Sequence, residues 1–340
     1  MIDVLVAGGG PAGLLTALAA AGAGLEVVVL EPRDGPVDKA CGEGLMPGVA
    51  AGVTRLAGPL VGAPLRGITY LDATGHEARA VFHAGEGRGV RRTELASTLL
   101  AAADRAGVTV LPGRVGEVRQ DGAGVSAGGL RARYLVAADG LHSPVRRQLG
   151  LDAPAHGPAR WGLRQHYACA PFDDRVHVHW AAGSEAYVTP VGPDLVGVAV
   201  LTTRRGAMAD QLAAFPHLLE RLGSAEVVSA TRGAGPLRQR VRSRVAGRVL
   251  LVGDAAGYVD ALTGEGIGVA LAGARAAAAC LAADRPAAYE QAWARSTRRA
   301  RWLTHGLAWA GQRPGLRRRL VPAAQRLPAV FDAAVAQLAG

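Results

Sequence analysis

Residues 1–31 constrain this chain more than any other stretch. Ile2 to Ala7 (IDVLVA) is an apolar run that reads as a buried strand. It leads into Gly8-Gly9-Gly10-Pro11-Ala12-Gly13, an alanine-rich helix to about Ala21, a second strand over Glu26 to Leu30, and Glu31 at its end. The order is GxGxxG between strand and helix, with an acid closing the next strand. Gly8 permits the tight turn, Gly10 lets backbone approach a pyrophosphate, and Gly13 lets the helix lie close on the strand. Pro11 and Ala12 open that helix, whose free N–H groups and dipole favour an anion. Glu31 is suited to accept hydrogen bonds from ribose hydroxyls, and Arg33 stands beside it. The pattern predicts a bound dinucleotide rather than a bare βαβ unit. Gly122 to Ala127 (GAGVSA) matches the pattern loosely, but it lies between two short strand-like runs and reads as a hairpin turn.

Two later motifs decide which dinucleotide. Tyr134 to Ala138 is another buried strand, and Asp139-Gly140 follows at the carboxyl end, where ligands bind in such sheets. Val249 to Val252 runs into Gly253-Asp254-Ala255-Ala256-Gly257, then through Thr263-Gly264-Glu265-Gly266-Ile267-Gly268 into a long helix. Asp254 is suited to ribityl hydroxyls. The glycines around Glu265 and Ile267 leave N–H groups bare at a helix start. That positive end suits flavin N1 and O2, where negative charge gathers on reduction.

These runs (GxGxxG, DGLHSPVR and GDAAG, in that order over nearly the whole chain) resemble the FAD-binding motifs of the aromatic-hydroxylase-like flavoproteins. That superfamily includes flavin monooxygenases, geranylgeranyl reductases and flavin halogenases. The resemblance implies FAD as cofactor, Arg92 as a cofactor contact, and Asp139 as an aid to the approach of NADPH or NADH without a separate nicotinamide domain. It implies an α/β fold: a Rossmann-type FAD-binding domain, an inserted and mainly antiparallel β-sheet substrate domain, and a C-terminal helical segment. The expected division assigns residues 1–65, 90–155 and 240–285 to the first, 66–89 and 156–239 to the second, and 286–340 to the helices.

Lys39-Ala40-Cys41-Gly42-Glu43-Gly44 resembles the cysteine-glycine loop of the geranylgeranyl reductases, which implies that Cys41 and Gly42 lie near the flavin ring. Gly162 to Tyr167, Arg175 to Trp180, Ala186 to Thr189 and Leu195 to Leu201 read as short strands that roof a substrate cavity. His166, His177, His179 and Tyr187 are candidate polar contacts there, with Cys41, Tyr187 and His166 the candidate catalytic residues. His177 and His179 share a strand face. No third ligand stands in register, so the face is read as solvated and no metal is expected.

Composition excludes other classes. The net charge of +10 is almost all arginine, with Lys39 the only lysine. The arginines are scattered and carry no nucleic-acid-binding motif, so no nucleic-acid partner is expected. Cys41, Cys169 and Cys280 are too few for a disulfide framework, which points to a reducing cytoplasm. The apolar stretch after the first glycines lacks a basic start and does not read as a secretion signal. Trp302 and Trp309, seven apart among arginines, share a helical face. Membrane-surface contact is possible on that pattern, but a helix packed across the domain interface is the favoured reading.

The sequence departs from each named branch. Gly257 and Ala261-Leu262 stand where hydroxylases carry histidine and paired prolines. Ala186-Tyr187-Val188-Thr189-Pro190 replaces the reductases' aromatic strand ending in phenylalanine-proline. The halogenases' tryptophan motif and active-site lysine have no match, because Lys39 is in the cysteine loop. The first expectation is therefore a monooxygenase of secondary metabolism. It would use a flavin C4a-hydroperoxide to hydroxylate or epoxidise a small apolar aromatic, polyketide or isoprenoid substrate. The alternatives are a flavin reductase of isoprenoid double bonds and a flavin electron-transfer protein.

Overall fold

The computed structural model describes every residue except 156, 259, 262, 263, 312 and 340, so Leu262 and Thr263 of the second glycine turn lie outside the described residues. The β-branched run Ile2–Ala7 forms the middle of the first sheet. It pairs in parallel with Val27–Glu31 on one side and Leu130–Ala137 on the other. Thr109–Pro112 and Val249–Leu251 extend the parallel array outward. The inner strands are buried on both faces, as their apolar runs require, whereas the edge strand Thr109–Pro112 is exposed. A hairpin of Arg119–Gln120 and Val125–Ala127 adds to Leu130–Ala137, with its turn inside the glycine-rich run. The helices Pro11–Ala21 and Gly266–Ala282 pack against each other over one face. Their alanines and Gly13 permit the close approach. Leu14, Leu15, Leu99 and Ala274 there are fully buried, each leucine contributing about 1.5–3 kcal/mol.

The connectivity fixes where chemistry can occur. Ala7, Glu31, Ala137 and Leu251 end parallel strands at one edge of the sheet. The loops beginning at Gly8, Asp139 and Gly253 therefore emerge side by side, although they lie far apart in sequence.

The second sheet is mainly antiparallel. Its order is Glu226–Val227, Trp161–Ala168, Leu195–Thr202, Ser184–Gly192, Arg175–Ala181, Gly67–Asp72 and Glu77–Val81. Tyr70, Val178, Tyr187 and Ala199 form one cross-strand row, and all four line a cavity between the sheets. Strand alternation sends their neighbours His177 and His179 to the other face. Both histidines are buried there, at 4% and 5% exposure, beside Phe172 and near Arg221 of the helix Pro216–Leu222. This corrects two expectations: the histidines face neither the cavity nor solvent. Burial and the nearby positive groups hold His179 down to about 3, so it is neutral. Among the described residues no group of three or more His, Cys, Asp or Glu is placed to hold a metal ion.

Three helices follow: Tyr289–Gly311, Pro314–Arg326 and Pro328–Ala339. The last two pack on Gly67–Asp72 and Glu77–Val81. They contribute Val321, Phe331 and Val335 to the core that contains Leu65, Ile68, Tyr70 and Phe82. Among the described residues no helix is long and apolar enough to cross a membrane.

Candidate cofactor and active site

The cavity of about 810 Å³ lies between the glycine loops of the first sheet and the inner face of the second. Its glycine-rich half is made largely of backbone. Gly8 turns at φ +102° and donates its N–H to the Leu30 carbonyl at 2.8 Å. A Cβ on Gly13 would stand 1.8 Å from the Gly8 carbonyl oxygen, so only glycine lets the helix start so close to the strand. Gly10 precedes the helix Pro11–Ala21, which has no side-chain cap. Its first N–H groups therefore remain available to a ligand. Gly8, Gly10, Pro11 and Ala12 line the cavity, whereas Gly13 lies behind it as a packing contact.

Glu31 is 7% exposed and holds this turn in place. Its carboxylate accepts from Gly9 N at 2.7 Å, Arg33 Nε at 2.7 Å, Arg33 Nη2 at 3.1 Å and Arg33 N at 3.1 Å. Burial works to raise its pKa, but the hydrogen bonds from Arg33 and Gly9 outweigh burial and hold it below the usual carboxylate range. Because the Arg33 side chain is 56% exposed, it is free to swing aside for a ligand hydroxyl. Asp254 is arranged in the same way: Lys39 Nζ donates to its Oδ2 at 3.0 Å across the cavity.

Three buried polar atoms lack protein partners here: Arg92 Nη1, Asp139 Oδ1 and Glu265 Oε2. Arg92 opens the helix Arg92–Arg105, and burial lowers its pKa. Asp139 accepts from Val145 N at 3.1 Å through its other oxygen, and burial raises its pKa. Burial likewise pushes Glu265 up to about 7. Gly140, Gly253, Gly264, Gly266 and Ile267 join Arg92 and Asp139 in the wall, while the Glu265 side chain stays outside it.

The cysteine loop crosses between the halves, and Cys41, Gly42 and Glu43 all line the cavity. Thr189 Oγ1 donates to the Gly42 carbonyl at 2.7 Å, and Glu43 N donates to Cys41 Sγ at 3.4 Å. Burial raises the Cys41 thiol and outweighs the opposing effect of Arg92, so the sulfur is protonated at neutral pH. Glu43, which sequence reasoning passed over, is the loop's anchor. It adopts φ +61°, is 3% exposed, and accepts from Arg92 N at 2.8 Å. Its other oxygen meets His166 Nε2 at 2.8 Å, and His166 Nδ1 meets Ser229 Oγ at 3.0 Å. Arg164 adds an ion pair to Glu43 and a contact to Asp38. His166 therefore braces the loop from behind and does not line the cavity, contrary to the catalytic place expected of it.

The family of the FAD binding domain matches residues 86–293, more than half of the chain. Digeranylgeranylglycerophospholipid reductase 1 of Methanopyrus kandleri is 31% identical over 300 residues, covering 79% of this chain and 77% of that protein. The chain belongs to the FAD-dependent monooxygenase and geranylgeranyl reductase-like flavoprotein superfamily. It is an FAD-dependent oxidoreductase. A solved flavin-dependent brominase superposes with TM-score 0.86 at 19% identity, over 99% of this chain and 93% of that one. The p-nitrophenol 4-monooxygenase of Pseudomonas putida superposes with TM-score 0.83 at 20% identity, over 100% and 98%. These two likenesses show the fold alone.

The residues of this flavoprotein fit FAD. The glycine turn admits backbone close to a pyrophosphate, and cavity-lining Arg92 and Asp139 each carry a buried polar atom with no protein partner. The sheet half of the wall is apolar, built from Leu65, Ile68, Phe82, Val176, Val178 and Leu237. Its polar groups are the phenols of Tyr70 and Tyr187 and the Thr189 hydroxyl, which is bonded to Gly42. Burial, reinforced by Glu185, raises Tyr187 well above the ordinary phenol range, and the same pair of causes pushes Tyr70 to about 12. Behind Tyr187 lies a buried cluster that sequence reasoning missed. Arg160 donates to both Asp260 oxygens, at 3.1 and 3.2 Å, and contacts Glu185. Burial pushes Glu185 up to about 7 against the pull of Arg160.

Proposed function

We propose that this flavoprotein reduces carbon–carbon double bonds in a long, apolar, isoprenoid-type substrate, with NADPH or NADH as the reductant of its flavin. One observation carries the reading. The cysteine loop sets a neutral proton donor, the Cys41 thiol, in the cavity wall beside the phenols of Tyr70 and Tyr187, while the loop's Lys39 is paired with Asp254 and Thr189 donates to Gly42. His177 and His179, expected as polar contacts in the roof, are on the opposite face, and the Glu43 carboxylate is held by Arg92 N and His166.

Bound and reduced FAD supplies a hydride. Saturating an alkene then needs one proton on the other carbon, and this chain has to deliver it. Cys41, protonated through burial, is the proposed donor, with Tyr187 positioning the chain and solvent returning the proton to the thiolate after turnover. Arg92, Asp139, Glu31 and Asp254 are proposed to hold the cofactor, with the N-termini of Pro11–Ala21 and Gly266–Ala282 facing its pyrophosphate and flavin edge. Leu65, Ile68, Phe82, Val176 and Val178 orient the substrate by burial and exclude water. The Methanopyrus relative, a digeranylgeranylglycerophospholipid reductase, points the same way.

Monooxygenation is the second reading, favoured by the apolar sheet half of the cavity, which would shield a reactive oxygen adduct. One assay separates the two. Reduced enzyme is mixed with a geranylgeranyl-bearing lipid, without oxygen and then with it, and product mass is measured. Gain of hydrogen without oxygen supports reduction. A product that forms only with oxygen and carries one added oxygen atom would replace it.

A further inference from the structure

The last helices carry a surface that the reductase reading does not use. In Tyr289–Gly311, Trp293, Thr297, Thr304 and Gly311 face inward. Trp302 lies nine residues after Trp293, which is half a turn out of phase at 3.6 residues per turn. It is accordingly 75% exposed, and Trp309 on the same stripe is 55% exposed. This corrects the favoured expectation that both would pack across a domain interface. Arg295, Arg298 and Arg299 continue the exposed stripe toward the helix start. Arg313 closes it at the other end, stacked 3.7 Å over the Trp309 ring. Leu316, Leu327 and Val330 of the following helices are also exposed apolar groups.

Charge is concentrated on the same segment. Residues 289–340 hold nine arginines against Glu290 and Asp332, which is +7 of the chain's +10. The other side of this segment packs behind one wall of the cavity, without lining it. Phe331 packs on cavity-lining Tyr70 with ring centroids 4.9 Å apart, and Asp332 accepts from Val81 N at 3.3 Å. Exposed tryptophans and a positive surround therefore lie on a segment that packs behind one wall of the cavity.

We infer that the helices 289–339 dock this enzyme on an anionic bilayer surface, with Trp302 and Trp309 in the headgroup–acyl boundary and the arginines on lipid phosphates. The inference rests on the reductase reading for its purpose, since a membrane-dissolved isoprenoid substrate would then enter beside the patch. The attraction itself needs only the surface.

The test uses the FAD-loaded full chain and vesicles of phosphatidylcholine with or without phosphatidylglycerol. Binding is read by co-sedimentation and by quenching of tryptophan fluorescence with brominated lipid. The wild type should pellet with phosphatidylglycerol vesicles at low salt, much less at high salt, and poorly with phosphatidylcholine alone. Trp302→Ser with Trp309→Ser should abolish the quenching. Arg318→Ser with Arg319→Ser should weaken binding by about fivefold per arginine. All four side chains are exposed, so flavin content and melting temperature should not change. Failure to pellet, or pelleting and quenching unaffected by the tryptophan pair, overturns the inference. So does light scattering that shows a dimer split by the same substitutions, because a second copy then covers the patch. Neither readout involves turnover. Vesicle binding with no alkene reduction would defeat the reductase reading alone.

Discussion

In the glycine-rich half of the cavity the wall is mostly backbone; in the sheet half it is mostly side chain. The first half has little freedom. Gly8, Gly13 and Gly253 each approach another chain segment so closely that a Cβ would collide with it. Two of its carboxylates are held by cations, Glu31 by Arg33 and Asp254 by Lys39, while burial raises the pKa of Asp139. The second half is apolar, and its titratable groups are pushed toward neutrality by burial. One half is thus built to hold a charged ligand of fixed shape. The other is walled for an apolar chain, and on the proposed reading its neutral donors serve a proton step.

The largest effect expected from this contrast is at Gly13. Gly13→Ala places a methyl 1.8 Å from backbone, and overpacking of this kind costs about 3 kcal/mol. The protein should be poorly soluble or flavin-free, as judged by the ratio of flavin to protein absorbance. Gly42→Ala in the cysteine loop is the counterpart, because nothing lies within 4 Å of its added methyl. Its melting temperature should stay close to that of the wild type. A folded, yellow Gly13→Ala protein would break the comparison.

A smaller loss is expected at Glu31. Glu31→Ala removes a buried acceptor of Gly9 N and Arg33. A charge-assisted bond is worth about 1.5–3 kcal/mol, so FAD affinity should fall by roughly tenfold to a hundredfold while the fold persists. Equilibrium dialysis measures this, and an unchanged affinity would place the ribose contact elsewhere.

The smallest effect expected is in pH dependence. Glu185 is raised to about 7, mainly by burial, against an ordinary value of 4.5. A carboxyl raised on folding contributes stability below its unfolded pKa and loses it as pH climbs through the folded one. Melting temperature should therefore decline between about pH 4.5 and 7 through this group, with Glu265 adding in the same direction. The groups around Glu185 are Arg160, Asp260, Arg317, Tyr187 and Tyr70. Glu185→Gln should flatten the decline and melt no lower than wild type at pH 8. A steeper decline in the variant would show that Glu185 is ionised and held by Arg160.

The glycine-rich half was legible in the sequence because each of its parts is contiguous and each glycine answers a local steric demand. Parallel strands ending at Ala7, Ala137 and Leu251 then bring those parts together by a general rule of such sheets. The sheet half was legible as strands but not as chemistry. Alternation made it plain that Val176 and Val178 face away from His177 and His179, yet nothing local said which side met the cavity. His166 was read as a contact because its partners are distant: Glu43 is 123 residues away and Ser229 is 63. The cluster of Arg160, Glu185 and Asp260 likewise exists only through pairings across the fold. An exposed stripe on the helix Tyr289–Gly311 was readable from its period, but its burial depended on what the rest of the chain left uncovered.

The proton step separates the sheet half from a passive apolar pocket, and a single turnover tests it most directly. Enzyme reduced under anaerobic conditions is mixed with the geranylgeranyl lipid, and flavin reoxidation is followed for wild type, Cys41→Ser and Cys41→Ala, all with full FAD content. General acid catalysis is worth about a hundredfold or more. Cys41→Ala should therefore reoxidise at least that much more slowly, Cys41→Ser should fall between, and reduction by NADPH should be unchanged in both. Equal reoxidation rates in all three proteins, or no anaerobic reoxidation even in the wild type, would contradict the account.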